Sequence, residues 1–190
     1  MKERWALFAL GAWLTGTVFV SVVAAENFYT IDRLLSQSPN ATFAAVTERL
    51  GPSETRDLLR YLSSELNRLY FQLWNVTQFA IGALVFWLLA GNQSATKARR
   101  GVAAMLILVV VMIVWLTPQI VSVGRSLDFV PRNPPPPALA RFGVLHGGYL
   151  LVEACKLLIG VIVSVWIARS AGGGADPPDV SGAIEQRATK

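Results

Sequence analysis

Hydrophobic residues along the chain gather into four long blocks separated by polar connections, and the block lengths decide the fold class. Residues 5–25, 69–96 and 101–124 contain no Asp, Glu, Lys or Arg. Each run exceeds the roughly 18 apolar residues that suggest a membrane span. A fourth block, 142–168, is interrupted only by Glu153 and Lys156. The pattern predicts spans at about 5–25, 69–90, 101–123 and 142–168. That is an all-α, integral membrane four-helix bundle, because only helices and closed barrels satisfy the backbone inside a bilayer.

The connections carry their own signals. Ser38-Pro39 reads as an N-cap followed by proline at the first helical position, and Gly51-Pro52 ends that short helix. Ser53 starts a second helix. Leu58, Leu62, Leu66, Leu69 and Leu73 recur at steps of four and three residues, an apolar stripe suited to lying along the membrane before the chain turns in. Residues 38–68 are thus expected to form an additional extramembrane amphipathic helical segment, and a plain solvated linker is the simpler alternative. Pro131 and Pro134 to Pro137 predict a stiff, extended spacer. The Gly- and Pro-rich tail 171–190 is expected to be disordered.

The first block has a rival reading as a signal peptide, since Val23-Ala24-Ala25 before Glu26 resembles a cleavage site. Its 21 apolar residues exceed the roughly 7–15 of a signal core, which favours a retained helix. Gly11/Thr15 and Ala12/Gly16 supply small-residue pairs of the kind found at helix contacts.

Composition sharpens the picture. Of 190 residues, 53% are hydrophobic and only 15% charged, against roughly 25% charged in soluble domains. Soluble enzymes, nucleic-acid modules and disulfide-stapled domains are excluded on that ground. The net charge of +5 reports orientation and contact with anionic membrane lipids rather than nucleic acid. With one cysteine, Cys155, and one histidine, His146, the chain offers no multi-Cys or multi-His metal set, and no cofactor is expected. Outside the spans, eight Lys and Arg fall on each side. Short loops dominate the positive-inside rule, and Lys97, Arg99 and Arg100 crowd the short loop, so both termini are placed in the cytoplasm.

Candidate chemistry lies at mid-depth. Arg141 and Arg169 bracket the fourth block across about 42 Å at 1.5 Å per residue, and Glu153 and Lys156 flank its midpoint. A lone ionisable residue there is costly, so a pair at i, i+3 suggests mutual neutralisation. His146, Tyr149, Glu153 and Lys156 share a helical face. Gln72, Asn75 and Gln78 in the second block reach the same depth, with Gln119 and Thr117 in the third and Thr15, Thr17 and Ser21 in the first. The opposite half is nearly free of polar side chains. The reading is a polar pocket of His146, Tyr149, Glu153, Lys156, Gln72, Asn75, Gln78 and Gln119, open toward loops one and three. Its alternative is that amides and ion pair only hold helices together.

Ser64-Glu65-Leu66-Asn67-Arg68 leading to Trp74 and Gln78, Pro118 near the end of the third block, and Phe142-x-x-Leu145-His146 with Tyr149 opening the fourth resemble a known pattern. The chain looks like the small bacterial four-helix membrane proteins of unknown function related to transmembrane protein 205. The resemblance implies a four-helix domain over about residues 5–168 in a bacterial inner membrane, with no established activity and no active site to carry over.

The leading expectation is a non-enzymatic membrane protein whose outward-facing pocket takes a small solute, lipid or partner helix, in transport or as an accessory. The second is a structural subunit of a larger membrane complex, meeting another membrane protein or a second copy. A membrane redox protein or enzyme using His146 and Glu153 comes third, because no catalytic constellation is complete.

Overall fold

The computed structural model describes residues 1–37 and 40–172. Among the described residues the chain is all-helical, with no strand. The elements are α1 (Lys2–Gln37), α2 (Ala41–Leu50), α3 (Pro52–Leu88), α4 (Thr96–Val111), α5 (Thr117–Arg125) and α6 (Pro137–Gly172). A π-helical turn, Met112–Leu116, joins α4 to α5 without a break. Four helices, α1, α3, α4 with α5, and α6, are long and apolar enough to cross a membrane.

Local chemistry sets the ends. Asn40 caps α2, its side chain accepting hydrogen bonds from the backbone N–H of Thr42 (2.9 Å) and Phe43 (3.1 Å). The cap therefore falls on Asn40, while Ser38 and Pro39, expected to start this helix, lie outside the described residues. Gly51 does end α2, at φ 93°, a left-handed conformation that glycine adopts without steric cost. Pro52 then occupies the first turn of α3, where its missing N–H is no loss. Loop two turns at Gly91, and Asn92 Oδ1 accepts from the Ser94 backbone N–H at 3.0 Å.

All four long helices run past the expected spans, α1 and α3 by the most. α1 has 36 residues and α3 has 37, each about 54–56 Å long at 1.5 Å per residue. Residues 53–68 do not lie flat before turning inward. They continue straight into the apolar half of α3. What holds them upright is α1, which passes the candidate cleavage site at Ala25-Glu26 as uninterrupted helix and packs along α3. Polar contacts stitch this extension. Asn27 Nδ2 donates to Asn67 Oδ1 at 2.6 Å, Asn67 Nδ2 to the Ala24 carbonyl at 2.9 Å, and Ser63 Oγ to the Asn27 carbonyl at 3.1 Å. Arg56 pairs with Asp32 at 2.5 Å. The sequence could not show this because the partners are about forty residues apart.

The long helices form an up-down-up-down ring, each packing on the next, with α6 closing against α1. Close approach depends on Gly16, Gly82, Gly101 and Gly160. A Cβ at Gly82 would meet Trp13 and Leu106 side chains at 2.7 Å, and one at Gly160 would meet Leu14 at 2.4 Å. Of the small pairs in α1, only Gly16 sits against a neighbour, the Trp74 ring; Gly11, Ala12 and Thr15 are exposed. Two apolar clusters fill the interior. The one nearer loop two includes Leu10, Trp13, Val85, Met105, Val109 and Val163. The other holds Met112, Leu116 and Tyr149, flanked by Phe71, Ile120, Leu145 and Val152.

Candidate functional site

Between the two apolar clusters lies one polar layer, to which every long helix contributes. α6 supplies Lys156, fully buried, and Glu153, 6% exposed. Their i, i+3 spacing puts them one turn apart on the same face, and Lys156 Nζ lies 2.6 Å from Glu153 Oε2. α3 supplies Gln78 and Asn75, also buried. Gln78 Oε1 accepts from Lys156 Nζ and, at 3.2 Å, from Trp13 Nε1 of α1. Gln78 Nε2 donates to Asn75 Oδ1 at 2.9 Å, and Asn75 Nδ2 donates to Thr117 Oγ1 of α5 at 3.0 Å.

The π-helical turn helps bring Thr117 there. Pro118 lacks an N–H and would clash with the carbonyl four residues back in a regular helix. Met112–Leu116 adopt the wider π pitch just before it, and both Leu116 and Thr117 face inward. π turns recur at such interruptions.

Of the eight side chains expected to share a pocket, five lie in or against this layer: Asn75, Gln78, Tyr149, Glu153 and Lys156. Tyr149 is 5% exposed, one turn from Glu153, with its ring edge-on to Phe71 at 5.2 Å. Three lie elsewhere. Gln72 is exposed on the outside of α3. Gln119 accepts from Arg141 at 3.1 Å near loop three. His146 is half-buried, stacked on Phe142 at 5.8 Å. The buried members bond chiefly to one another rather than lining an open crevice. One interior hydroxyl, Thr17 Oγ1, has no hydrogen-bond partner among the described residues, whereas the Tyr149 hydroxyl lies within reach of the Glu153 carboxylate.

Trp13, the member of the layer on α1, is not among the residues expected to share the pocket. A signal was available: a buried indole N–H needs an acceptor, and Trp13 sits mid-block rather than at an end. Among the described residues no group of three or more His, Cys, Asp or Glu could hold a metal ion. Cys155 is exposed on the outer face of α6.

A second polar cluster closes the loop-one and loop-three end. Arg68, on α3, reaches both Asp128 carboxylate oxygens at 2.9 Å and also pairs with Glu65. Arg125 lies 3.9 Å from Glu65. This clasp ties loop three to α3. Phe129, at φ 58°, lays its ring against Tyr61 at 5.1 Å.

At the loop-two end, Asn92 Nδ2 donates to Glu3 Oε1 at 2.6 Å and Ser170 Oγ to the Ser94 carbonyl at 3.2 Å. Lys2 lies over the exposed Trp87 ring at 5.7 Å, as expected of residues at a membrane–water boundary.

No family model, curated protein or solved structure matches the chain. The resemblance to relatives of transmembrane protein 205 gains no support from these comparisons.

Proposed function

We propose that the chain is a multi-pass inner-membrane protein, both termini cytoplasmic, acting as a non-enzymatic structural or accessory subunit of a larger membrane assembly. One observation carries this reading: the mid-depth polar groups of α1, α3, α5 and α6 are spent on each other. Donors and acceptors converge on Gln78 and Lys156, and such a layer fixes helix register rather than receiving a solute. The α1–α3 extension then stands about 20 Å beyond the level of Ala24, at 1.5 Å per residue, as a rigid element that a partner can grip. Stoichiometric co-purification with one defined membrane protein, lost when residues 28–62 are deleted and rejoined by a short linker, is the expected result. A chain that purifies alone from its native membrane overturns the subunit reading.

A second reading, a pocket for a small solute, lipid or partner helix, draws on the unpartnered Thr17 hydroxyl in the interior of the bundle. Buried groups without partners invite a ligand. Solute binding or movement in liposomes that Glu153→Gln abolishes would favour it over the subunit.

A further inference from the structure

Outside the helical core, a shallow depression lies between the outer half of α3 and loop three, lined by residues that include Asp57, Arg60, Ser64, Asp128, Phe129 and Arg132. One of its charged groups, Asp128, belongs to the adjoining clasp and spends its charge on Arg68. The side chains of Asp57, Arg60, Ser64 and Arg132 make no hydrogen bond or ion pair among the described residues. Two free guanidiniums, a free carboxylate and a free hydroxyl therefore meet in one place, with an aromatic pair, Tyr61 and Phe129, at its edge.

Their order along α3 has a direction. α3 runs toward its apolar half, so Ser64 is nearest the membrane, Arg60 lies one turn farther out, and Asp57 farther still. At 1.5 Å per residue, about 10 Å separates Ser64 from Asp57. Guanidinium and hydroxyl groups fit phosphate oxygens, and Arg does so with two parallel N–H donors. A carboxylate beyond them fits an ammonium.

We propose that this depression binds a short zwitterion, a phosphate diester or monoester joined to a primary ammonium. Arg60, Arg132 and Ser64 hold the phosphate and Asp57 holds the ammonium. Phosphatidylethanolamine presents these groups in the same outward order, phosphate first and ammonium beyond. A free phosphoethanolamine-type solute carries the same chemistry. The site rests on the membrane reading above, because that reading puts loop three at the headgroup level.

The test has two arms. In the first, the full chain is reconstituted in nanodiscs of equal phosphatidylethanolamine, phosphatidylglycerol and phosphatidylcholine, released gently, and weighed by native mass spectrometry with its retained lipid. Phosphatidylethanolamine is expected to be retained over phosphatidylcholine, whose quaternary ammonium offers no N–H to Asp57, and over phosphatidylglycerol, which has no ammonium. Asp57→Asn should erase the preference over phosphatidylglycerol. Arg132→Gln should lower phosphatidylethanolamine retention about tenfold, as loss of a charge-assisted hydrogen bond does. In the second arm, phosphoethanolamine is titrated into the detergent-solubilised chain. Binding there that both substitutions weaken, without lipid selectivity in the first arm, assigns the site to the free solute.

Arg49→Gln, on exposed α2, is the control, and unchanged helicity confirms that each variant folds. Retention and titration both indifferent to Asp57→Asn and Arg132→Gln overturn the site. Release of the chain from native membranes by alkaline carbonate overturns the membrane reading instead, and the titration arm still reports on the depression.

Discussion

Replacing Gln78 by leucine removes the hub of the polar layer at nearly constant volume. Three contacts go at once: the acceptor for Lys156, the acceptor for Trp13 and the donor to Asn75. A hydrogen bond to a charged group contributes about 1.5–3 kcal/mol, and neutral hydrogen bonds between membrane helices average about 0.6 kcal/mol each. Their sum puts the cost of Gln78→Leu at about 3–4 kcal/mol. The informative quantity is the coupling. Lys156 and Glu153 are neighbours on one helix, so their pair survives when helices separate without uncoiling and contributes little to assembly. The contact between Lys156 and Gln78 joins α6 to α3 and is lost on separation. Double-mutant cycles in mixed micelles, with unfolding driven by sodium dodecyl sulfate, should give about 1.5–3 kcal/mol for Gln78→Leu with Lys156→Met. The cycle of Glu153→Gln with Lys156→Met should stay below about 1 kcal/mol, near the usual scale for membrane helix contacts. A larger coupling for Glu153–Lys156 than for Gln78–Lys156 would refute the assignment of Gln78 as the interhelical link.

Gly82→Val should destabilise by about 1–3 kcal/mol, because Trp13 and Leu106 must yield to its side chain, whereas Gly147→Val, which meets nothing within 4 Å, should stay within about 0.5 kcal/mol; the same micelle titration reads both. Arg68→Leu releases Asp128, and limited proteolysis should then cut loop three, residues 126–136, faster than in the unmodified chain. Unchanged cleavage would mean that the clasp does not hold the loop. Intact mass of protein isolated from membranes should include residues 1–25, since Trp13 and Leu10 belong to the core; a mass beginning at Glu26 would contradict a retained α1.

Three of the long helices were legible because charge-free runs of more than twenty residues have few other solutions, and the fourth because only Glu153 and Lys156 interrupt its apolar block. Their full lengths were not. The outer half of α3 carries enough charge to read as a surface segment, and what makes it a straight continuation is the Asn27–Asn67 contact with α1, which no local pattern encodes. The candidate site divided along helical geometry. Residues three apart drift by 60° per step on a helix of 100° per residue, so Gln72 points about 120° away from Gln78 although both looked collinear with Asn75. His146 departs from the Tyr149–Glu153–Lys156 face by a smaller angle and ends half-buried. Spacing alone put Asn75, Gln78, Glu153 and Lys156 on faces that meet in one layer. The inward arc had to be set by packing, and the packing partners come from other helices.

The direction of hydrogen bonding through the layer follows from its members. Trp13 can only donate, and Lys156, paired with Glu153, donates as well, so Gln78 turns its carbonyl oxygen to both. Its amide nitrogen then has to face Asn75, which presents Oδ1 and is left with Nδ2 for Thr117. Two donor residues thus orient two amides and one hydroxyl on two other helical segments, α3 and α5. Sliding any one helix by a turn would set donor against donor or leave a buried amide unpaired, at a cost of about 1–3 kcal/mol per group. An apolar layer of equal volume would hold the helices together as well and tolerate such slips. The polar layer's contribution is therefore selectivity among registers, which also holds the α1–α3 extension at a fixed height above the bundle.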